Sequence, residues 1–471
     1  KRFIDNNGLD PNLSENPEKA IISLQNDRGT EYMTYIRVQN ELTRKPDWIN
    51  FVKGHRMMND LKDLRDHIGH ESITISSVKI TPISFKPSDG SYIHECGPVV
   101  LTKSDEAIVE IETEEGIKGI GPASLSEVGK NLDQFIGRNP FELVFEGLPP
   151  SIDVACWDLI GRARELPVCE LLCLDGTPNF FPHVYASGGV MWTYYDRGDG
   201  SSFGIDALIE EALAYKAQGF DVFKWRPGTD WEEAGINAQR LGDFCRRLDE
   251  AVGPGLKYGL EKKGYDSWTF EECLEIAPVI SDLGFHFFEQ PMGDEGPQQF
   301  EDYRYLKENM PGVMLWGGES FGNYEQAEPW MREGIYDAVQ SDCARIGITE
   351  NWRIAQLASE TKTKMVPHNW YSSLGTMCNT HFLAAAPTGY MCEFFMYPSD
   401  FRYGLFKEPY RPVNSKINLS NNPGFGMELI EDYAKVFPHI PGDNTMANPR
   451  FPHAWDRARN RELKVVRRNN G

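Results

Sequence analysis

The amino-acid sequence predicts an α/β protein built on a (β/α)₈ barrel, with a small α+β capping domain before the barrel and a C-terminal segment that packs back on the cap. Two observations lead to this fold class. Between residues 183 and 392, eight short apolar runs alternate with amphipathic helical segments in one series, which is typical of parallel strands joined by right-handed crossovers. Before them, period-two alternation over residues 107–113 indicates antiparallel strands. Eight strands in one unbroken series favour a closed barrel over an open sheet.

The composition limits the class of protein and its partners. The chain has 471 residues, 40% hydrophobic and 12% aromatic, which is enough for several packed units. No stretch reaches the ~20 apolar residues of a membrane-spanning helix. With 48 Lys and Arg against 70 Asp and Glu, the formal net charge is −22, which repels phosphate backbones and anionic lipid surfaces. We therefore expect no nucleic-acid or membrane partner, whereas a small anionic substrate in a cation-lined pocket is compatible with this charge.

Cysteine usage indicates the compartment. The nine cysteines are scattered singly, and no CxxC pair occurs, which is typical of free thiols in a reducing environment. The first residues lack the apolar core of a signal peptide. We therefore expect a cytoplasmic protein.

Four segments are predicted along the chain. They are a polar N-terminal extension over 1–72, the capping domain over 73–150, the barrel over 151–398 and the returning C-terminal segment over 399–471. The extension carries no chemical motif. We expect it to pack on the body of the protein or on another subunit of a homo-oligomer.

The capping domain begins with strands and continues with helices. Segments 73–85 and 97–103 are rich in branched residues, and with the alternating run 107–113 they predict an antiparallel meander. Helices are expected over 126–135 and 141–148, and two consecutive prolines end the second helix.

Each predicted barrel strand is a short apolar run. The eight runs are 183–186, 221–224, 256–260, 285–288, 313–316, 338–340, 364–366 and 390–392. The expected helices cover 152–164 before the first run and then 205–216, 231–252, 270–283, 300–308, 324–333 and 350–360. In such barrels the chemistry gathers at the C-terminal ends of the strands. The polar residue that closes a run is therefore a candidate functional residue.

Three glutamates close consecutive runs. Glu261, Glu289 and Glu319 follow the third, fourth and fifth runs at steps of 28 and 30 residues, each about one βα unit. Together, unpaired carboxylates would repel one another and raise each other's pKa. A hard divalent cation resolves the repulsion, and an all-oxygen ligand set suits Mg²⁺. The alternative is three separate surface or ion-paired residues, but their common phase on neighbouring strands favours a metal site.

The remaining strand ends carry a histidine, an aspartate, a glutamate and two cations. Asp342 and His368 close the sixth and seventh runs, and a carboxylate beside an imidazole fixes its tautomer and makes it a stronger base. Lys224 and Arg226 are two residues apart, so both face one side of a strand, where they are either surface cations or cations aimed at an anion in the barrel mouth. Glu393 closes the eighth run, and it either hydrogen-bonds a developing enolate or pairs with Lys224.

From about residue 73 onward, this pattern resembles the enolase superfamily, in particular its mandelate racemase-like branch. The segments that carry the resemblance are the A-x-W-D-L-like helix at 155–160, Phe288-Glu289-Gln290-Pro291, Gly318-Glu319-Ser320, and the C-terminal pieces 400–406 and 423–428. The pairing of Asp342 with His368 and the glutamate of the eighth strand also match the branch.

The resemblance implies a reaction that begins with abstraction of the proton alpha to a carboxylate. Mg²⁺ and Lys224 would stabilise the resulting enediolate, and Glu393 would add a hydrogen bond. The loop over residues 85–95 matches in position the loop that closes over substrate in this family. Its His94, and Asn369 beside the catalytic histidine, are therefore candidate substrate contacts.

Two departures from the family pattern affect the predicted activity. Glu261 stands in Glu-Lys-Lys, where the family usually has Asp in D-x-N, so the longer side chain must adjust to reach the metal and Lys263 would lie near the substrate. Arg226 stands where the family's Lys-x-Lys motif supplies a second base. Arginine does not deprotonate in proteins, so His368 is the one base that the pattern secures.

One base suffices for a dehydratase, because the imidazolium that it becomes can protonate the departing hydroxyl. We therefore predict a Mg²⁺-dependent dehydratase that converts an acid sugar, an aldonate or aldarate, to a 2-keto-3-deoxy acid, with Arg226 holding a substrate carboxylate or hydroxyl. The first alternative is a racemase or epimerase of a 2-hydroxy acid with Lys263 as the second base. The other is a barrel that has lost catalysis and acts as a binding protein.

Overall fold

The computed structural model describes two compact units of the chain. The described residues are 4–5, 8–9, 61–88, 93–96, 99–174, 176–189, 203–227, 238–261, 268–370, 372–397 and 399–447. The first unit comprises residues 1–69 with 145–147, and the second comprises 70–144 with 148–471. In the first unit, strands β1 (Ile4–Asp5) and β2 (Gly8–Leu9) pair in antiparallel fashion, and helix α1 (Lys62–Ile68) buries Leu64 and Ile68.

The capping domain is built on antiparallel strands. They are β3 (Ile75–Phe85), β4 (His94–Cys96), β5 (Val99–Leu101), β6 (Ser104–Thr113) and β7 (Lys118–Ala123). Strands β3, β6 and β7 form one sheet, and β4 pairs with β5. The predicted antiparallel strands are therefore confirmed, but the predicted order is not, because segment 97–103 pairs with β4 in a separate sheet and β3 pairs directly with β6.

Of the two helices predicted for the capping domain, the first is wrong and the second is shorter than predicted. Residues 126–135 hold only 3₁₀ turns at Leu125–Glu127 and Asp133–Phe135, and the second segment holds the short helix α2 (Pro140–Leu143). Gly129 lies between the two turns with a φ of +80°, a left-handed conformation that an α-helix cannot continue through.

Eight parallel strands form the barrel of the second unit. They are β8 (Val184–Ser187), β9 (Val222–Trp225), β10 (Lys257–Glu261), β11 (Phe287–Glu289), β12 (Met314–Gly317), β13 (Ala338–Val339), β14 (Lys364–Met365) and β15 (Cys392–Phe395). Neighbours in sequence pair in space, and β15 pairs with β8. The N–H groups of Tyr390 and Glu393 donate to the carbonyls of Met365 and Pro367, so the eighth segment also joins the seventh. The predicted barrel is confirmed.

Helices surround the strands, as the sequence predicted. They are α3 (Pro150–Ala163), α4 (Val168–Leu172), α5 (Phe203–Ala217), α6 (Ala238–Val252), α7 (Phe270–Asp282), α8 (Phe300–Glu308), α9 (Tyr324–Arg332), α10 (Cys343–Ile346), α11 (Ile348–Thr361) and α12 (Ser373–Ala385). Helices α4, α10 and α12 were not predicted. Among the described residues, no helix has both the length and the apolar character that a bilayer crossing requires.

The barrel interior is filled in layers. The side chains nearest the N-terminal ends of the strands belong to Tyr185, Val222, Phe287, Trp316, Ala338, Val366 and Met391. Residues two positions further along a strand face the same interior, closer to its C-terminal end. They include Ser187, Lys224, Glu289, Gln340, His368 and Glu393, which are all buried. These six residues are called the polar layer below. They lie next to the apolar cluster, on its side toward the C-terminal ends of the strands.

The C-terminal segment returns to the capping domain, as predicted. Its elements are α13 (Phe401–Gly404), β16 (Pro412–Val413), β17 (Lys416–Ile417), α14 (Tyr433–Val436) and β18 (Thr445–Ala447). Strand β18 pairs with β5, and the buried Lys103 of the cap donates to the carbonyl of Ile440 over 2.6 Å. Backbone pairing and a buried ion thus fix the segment to the cap.

Asp158 on α3 connects the barrel, the cap and the C-terminal segment. Its fully buried carboxylate accepts hydrogen bonds from the N–H of Ile120 on β7 (3.0 Å) and from the N–H of Phe425 (2.7 Å). Arg162 Nε lies 3.0 Å away and compensates its charge. Burial raises the pKa of Asp158 above its ordinary value, while Arg162 and the two N–H donors favour the charged form and oppose this rise.

We expect Asp158→Ala to lower the free energy of unfolding by about 3–5 kcal/mol, because two buried N–H groups lose their acceptor and the partly buried Arg162 loses one of its two carboxylate partners. Denaturant unfolding measures this. The matched control is Asp243→Ala, since Asp243 pairs with Arg246 at 2.9 Å in an exposed position and should cost less than ~1 kcal/mol. Equal losses in the two variants would contradict the role given to Asp158.

Asp153 on α3 gives a pH-dependent expectation. It is 3% exposed and accepts from the N–H groups of Ile348 and Thr349, and burial raises its pKa from 3.8 to about 6. Between those values the folded protein keeps a proton that the unfolded chain releases. This group's contribution to stability therefore falls as the pH rises through the window, by up to ~3 kcal/mol.

Melting temperatures of wild type and Asp153→Asn across pH 4 to 7 test this. The wild type should lose stability relative to the variant up to about pH 6, and the difference should then level off. A difference that does not change with pH would show that Asp153 titrates normally.

Candidate active site

The three predicted metal-ligand glutamates meet at the C-terminal ends of neighbouring strands. Glu261 and Glu289 end β10 and β11, where the strand register pairs them directly, and Glu319 lies two residues beyond β12. One carboxylate oxygen of each lies within 4.8 Å of the other two. Glu261 and Glu289 are fully buried. The structure therefore brings this set together as the spacing predicted.

The carboxylates fit an oxygen-liganded divalent cation. Glu261 Oε1 and Glu289 Oε2 are buried without a hydrogen-bond partner among the described residues, and leaving charged acceptors unsatisfied in this way is costly. Burial raises the pKa of Glu289 to about 8, with a further contribution from Glu261. A cation bound to these oxygens would remove both costs, and hard ions such as Mg²⁺ prefer such ligands.

Lys224 lies at the centre of the carboxylates. Its Nζ is 2.9 Å from Glu261 Oε2, 3.1 Å from Glu289 Oε1 and 2.6 Å from Glu393 Oε1, and it is 1% exposed. Burial alone would lower the pKa of this lysine, but the three carboxylates raise it above its ordinary value. Lys224 therefore stays protonated and acts as a fixed cation.

Arg226 is two residues after Lys224 and therefore lies nearer the C-terminal end of the barrel. Its Nε donates to Glu261 Oε2 over 2.6 Å, and its guanidinium lies 4.3 Å from the ring centroid of Trp370. The Trp370 ring contacts that of Phe395 at 4.9 Å. Both aromatic residues are two positions beyond a member of the polar layer, so the alternation of side chains places this group above it.

The predicted dyad forms between the ends of the sixth and seventh strands. His368 Nδ1 is 2.9 Å from Asp342 Oδ2, and because a carboxylate only accepts, this nitrogen carries the proton. The other nitrogen, Nε2, lies 3.6 Å from Glu319 Oε2 and 3.9 Å from Glu393 Oε2. Burial alone would lower the pKa of His368, but Glu319, the Asp342 hydrogen bond and Glu393 raise it. Nε2 thus faces the carboxylates of Glu319 and Glu393.

Glu393 is held by donors on both oxygens. Oε1 accepts from Ser187 Oγ (2.5 Å) and pairs with Lys224, and Oε2 accepts from the N–H of Asn369 (3.0 Å). Burial opposes ionisation, but Lys224 and His368 hold the pKa of Glu393 well below its usual range. The sequence left open whether Glu393 pairs with Lys224, and the structure shows that it does.

Asn369 supports this arrangement from a buried position. Its Nδ2 donates to Thr376 Oγ1 and to the carbonyl of Glu393, both at 3.0 Å. Its role as a substrate contact stays a prediction. Lys263 and the side chain of His94 lie outside the described residues, although the backbone of His94 pairs with Leu101.

Two site residues were missed by the sequence analysis. The rule that the polar residue closing a barrel strand is a candidate, called the strand-end rule below, was applied only from the second strand onward. Applied to the first strand as well, it identifies Ser187, which closes that strand. Asn379 lies on α12 and donates to Asp342 Oδ1 over 3.0 Å. No sequence signal identifies it, because it belongs to no strand end.

The comparisons with known proteins agree with this geometry. The family model described as enolase C-terminal domain-like matches residues 207–433. The chain is 25% identical to the D-gluconate dehydratase of Thermoproteus tenax over 389 residues, which cover 74% of this chain and 75% of that one. It is also 25% identical to the D-galactarolactone cycloisomerase of Agrobacterium fabrum over 364 residues, 70% of this chain and 90% of that one.

Solved structures show the same fold. A protein of Bordetella bronchiseptica RB50, provisionally named a mandelate racemase and solved with 2-oxoglutarate and phosphate, superposes with a TM-score of 0.67 at 20% identity. The match covers 79% of this chain and 100% of that one. The family model and the relatives therefore support the resemblance to the enolase superfamily that the sequence motifs carry, and the solved structure shares the fold of this chain.

Proposed function

We propose that the protein is a Mg²⁺-dependent dehydratase of an acid sugar. It would remove water from an aldonate or aldarate through an enediolate and release a 2-keto-3-deoxy acid. The observation that carries this proposal is the position of His368: its Nε2 lies 3.6 Å from Glu319, one of the three proposed metal ligands, while Asp342 holds the opposite nitrogen. An imidazole base thus lies beside the carboxylates that would hold a cation.

Glu261, Glu289 and Glu319 would hold the Mg²⁺ ion. Bound there, Mg²⁺ would supply positive charge to the substrate carboxylate and so acidify the proton alpha to it. The ammonium of Lys224 would lie beside the same carboxylate and stabilise the negative charge that develops on its oxygens, since preorganised charge acts strongly in a buried site.

His368 would transfer the proton in both halves of the reaction. Neutral Nε2 takes the alpha proton, the C–H electron pair moves into the enediolate, and Asp342 stabilises the imidazolium. The enediolate then expels the hydroxyl at C3, and Nε2–H protonates that hydroxyl so that water leaves. The enol product then takes up a proton at C3, loses the proton of its C2 hydroxyl to solvent and so becomes the keto acid.

The state of the two cations supports a one-base mechanism. Lys224 stays protonated among its carboxylates, and arginine does not deprotonate in proteins. Arg226 is therefore proposed to bind a carboxylate or hydroxyl of the substrate. The relative named D-gluconate dehydratase supports an acid sugar as the substrate class.

We also propose a cytoplasmic location. Each cysteine whose side chain is described is a free thiol, which supports this proposal.

The metal proposal predicts a ligand-dependent gain in stability. Mg²⁺ at a hundredfold excess over its Kd should stabilise the wild type by about 2.7 kcal/mol, seen as a rise in melting temperature. Glu289→Gln should lose most of this rise, because it removes a charged ligand. Asp153→Asn, a buried carboxylate outside the metal set, should keep it. A full response in Glu289→Gln would place the metal elsewhere.

Turnover of a panel of aldonic and aldaric acids, followed as semicarbazide-reactive keto acid, tests the activity. His368→Asn should abolish turnover, because the proposed base is gone. The matched control is His183→Asn, since His183 pairs with Asp221 at 2.8 Å before the first strand, at the other end of the barrel. Equal turnover in wild type and His368→Asn would refute the assignment.

Exchange in D₂O separates the dehydratase from the racemase alternative. A one-base dehydratase gives keto acid, and any deuterium that it incorporates at C2 enters with retained configuration. Deuterium entering C2 with inverted configuration and without keto acid would show a two-base racemase or epimerase instead.

A further inference from the structure

Asn379 connects the two members of the dyad. It lies fully buried on α12, and its Nδ2 donates to Asp342 Oδ1 over 3.0 Å and to the backbone carbonyl of His368 over 3.1 Å. Its Oδ1 accepts from the N–H of Cys343 over 2.9 Å. One amide thus spans the ends of the sixth and seventh strands.

The orientation of this amide follows from its partners. The N–H of Cys343 can only donate, so it requires the amide oxygen, while a carboxylate and a carbonyl can only accept, so they require the two amide hydrogens. All three partners agree on one orientation. The side chain therefore has no second arrangement that satisfies its neighbours.

These contacts leave Asp342 without rotational freedom. Oδ1 accepts from Asn379 and from the N–H of Ala344 (2.8 Å), and Oδ2 accepts from His368 Nδ1 (2.9 Å). The hydrogen bond to the His368 carbonyl fixes the backbone of the histidine at the same time. The direction in which Nε2 points is set by these two attachments.

We propose that Asn379 is a positioning residue that holds Asp342 and His368 in the geometry needed for proton transfer. This rests on the proposed function of His368 as the base. A displacement of about 1 Å between base and substrate can cost about a hundredfold in rate. Among the hydrogen bonds of the described residues, Asn379 contacts the carboxylate and the backbone of the dyad and none of the three glutamates, so its loss should affect proton transfer more than binding.

A buried asparagine could also serve only the stability of the fold, and Asn351 is the matched case. It is equally buried, lies on the neighbouring helix α11, and donates from Nδ2 to the carbonyl of Gly347 over 2.8 Å. None of its hydrogen bonds with the described residues involves Asp342 or His368. Asn351→Leu therefore reports the cost of losing a buried amide as such.

The experiment compares Asn379→Leu, Asn379→Asp and Asn351→Leu. Asn379→Asp keeps the shape of the side chain and the acceptor for Cys343 but loses both donated hydrogen bonds. It therefore replaces Asn379→Leu in the comparison if that variant does not fold. We expect kcat to fall about 10- to 100-fold in both Asn379 variants. KM and the Mg²⁺-induced rise in melting temperature should stay within about twofold of wild type. Asn351→Leu should lower kcat less than about threefold.

A second readout does not need turnover. The Nδ1–H proton of His368, identified by its absence in His368→Asn, should give a downfield NMR resonance that shifts or broadens in the Asn379 variants and is unchanged in Asn351→Leu. Equal losses of kcat in Asn379→Leu and Asn351→Leu, or an unchanged resonance, would overturn the positioning role. If the wild type shows neither turnover nor exchange at C2, the proposed function fails, and the resonance alone decides whether Asn379 positions the dyad.

Discussion

The buried ammonium of Lys224 is the contact on which the geometry of the site depends. Carboxylates from three strands, Glu261, Glu289 and Glu393, lie within 3.1 Å of it in the barrel interior. Without a cation at that point, burial and mutual repulsion would drive these groups to their neutral forms or apart. Lys224 engages only one oxygen each of Glu261 and Glu289, and the other oxygens stay available to a metal ion.

The barrel makes this concentration of charge possible because its lower interior is packed and apolar. The rings of Phe287 and Trp316 stack with centroids 3.5 Å apart beneath the polar layer. The opposite end of the barrel shows that residue type alone does not make a site. His183 and Asp221 form a histidine–aspartate pair there, but Asp221 is 55% exposed, and solvent screens such a pair.

The strand-end rule predicted much of the candidate site. It identified Lys224, the three glutamates, Asp342, His368 and Glu393, because a fixed phase on successive parallel strands brings residues to one ring. The rule did not identify Asn379, which donates hydrogen bonds to Asp342 and to the backbone of His368. Every residue of helix α12 is buried, so the sequence there has no polar face to mark a helical period, and Asn379 could not be placed beside the dyad.

The sequence by itself determined the order of the strands, the phase of their polar ends and hence the fold class, because these depend on local periodicity and on steps of about one βα unit. Only the tertiary structure decided which oxygen pairs with which cation, and which donors restrain Asp342 and Glu393. Those contacts join residues far apart in the chain, such as Ser187 and Glu393 at a separation of 206. Their distances depend on how side chains meet across a closed barrel, which no local pattern encodes.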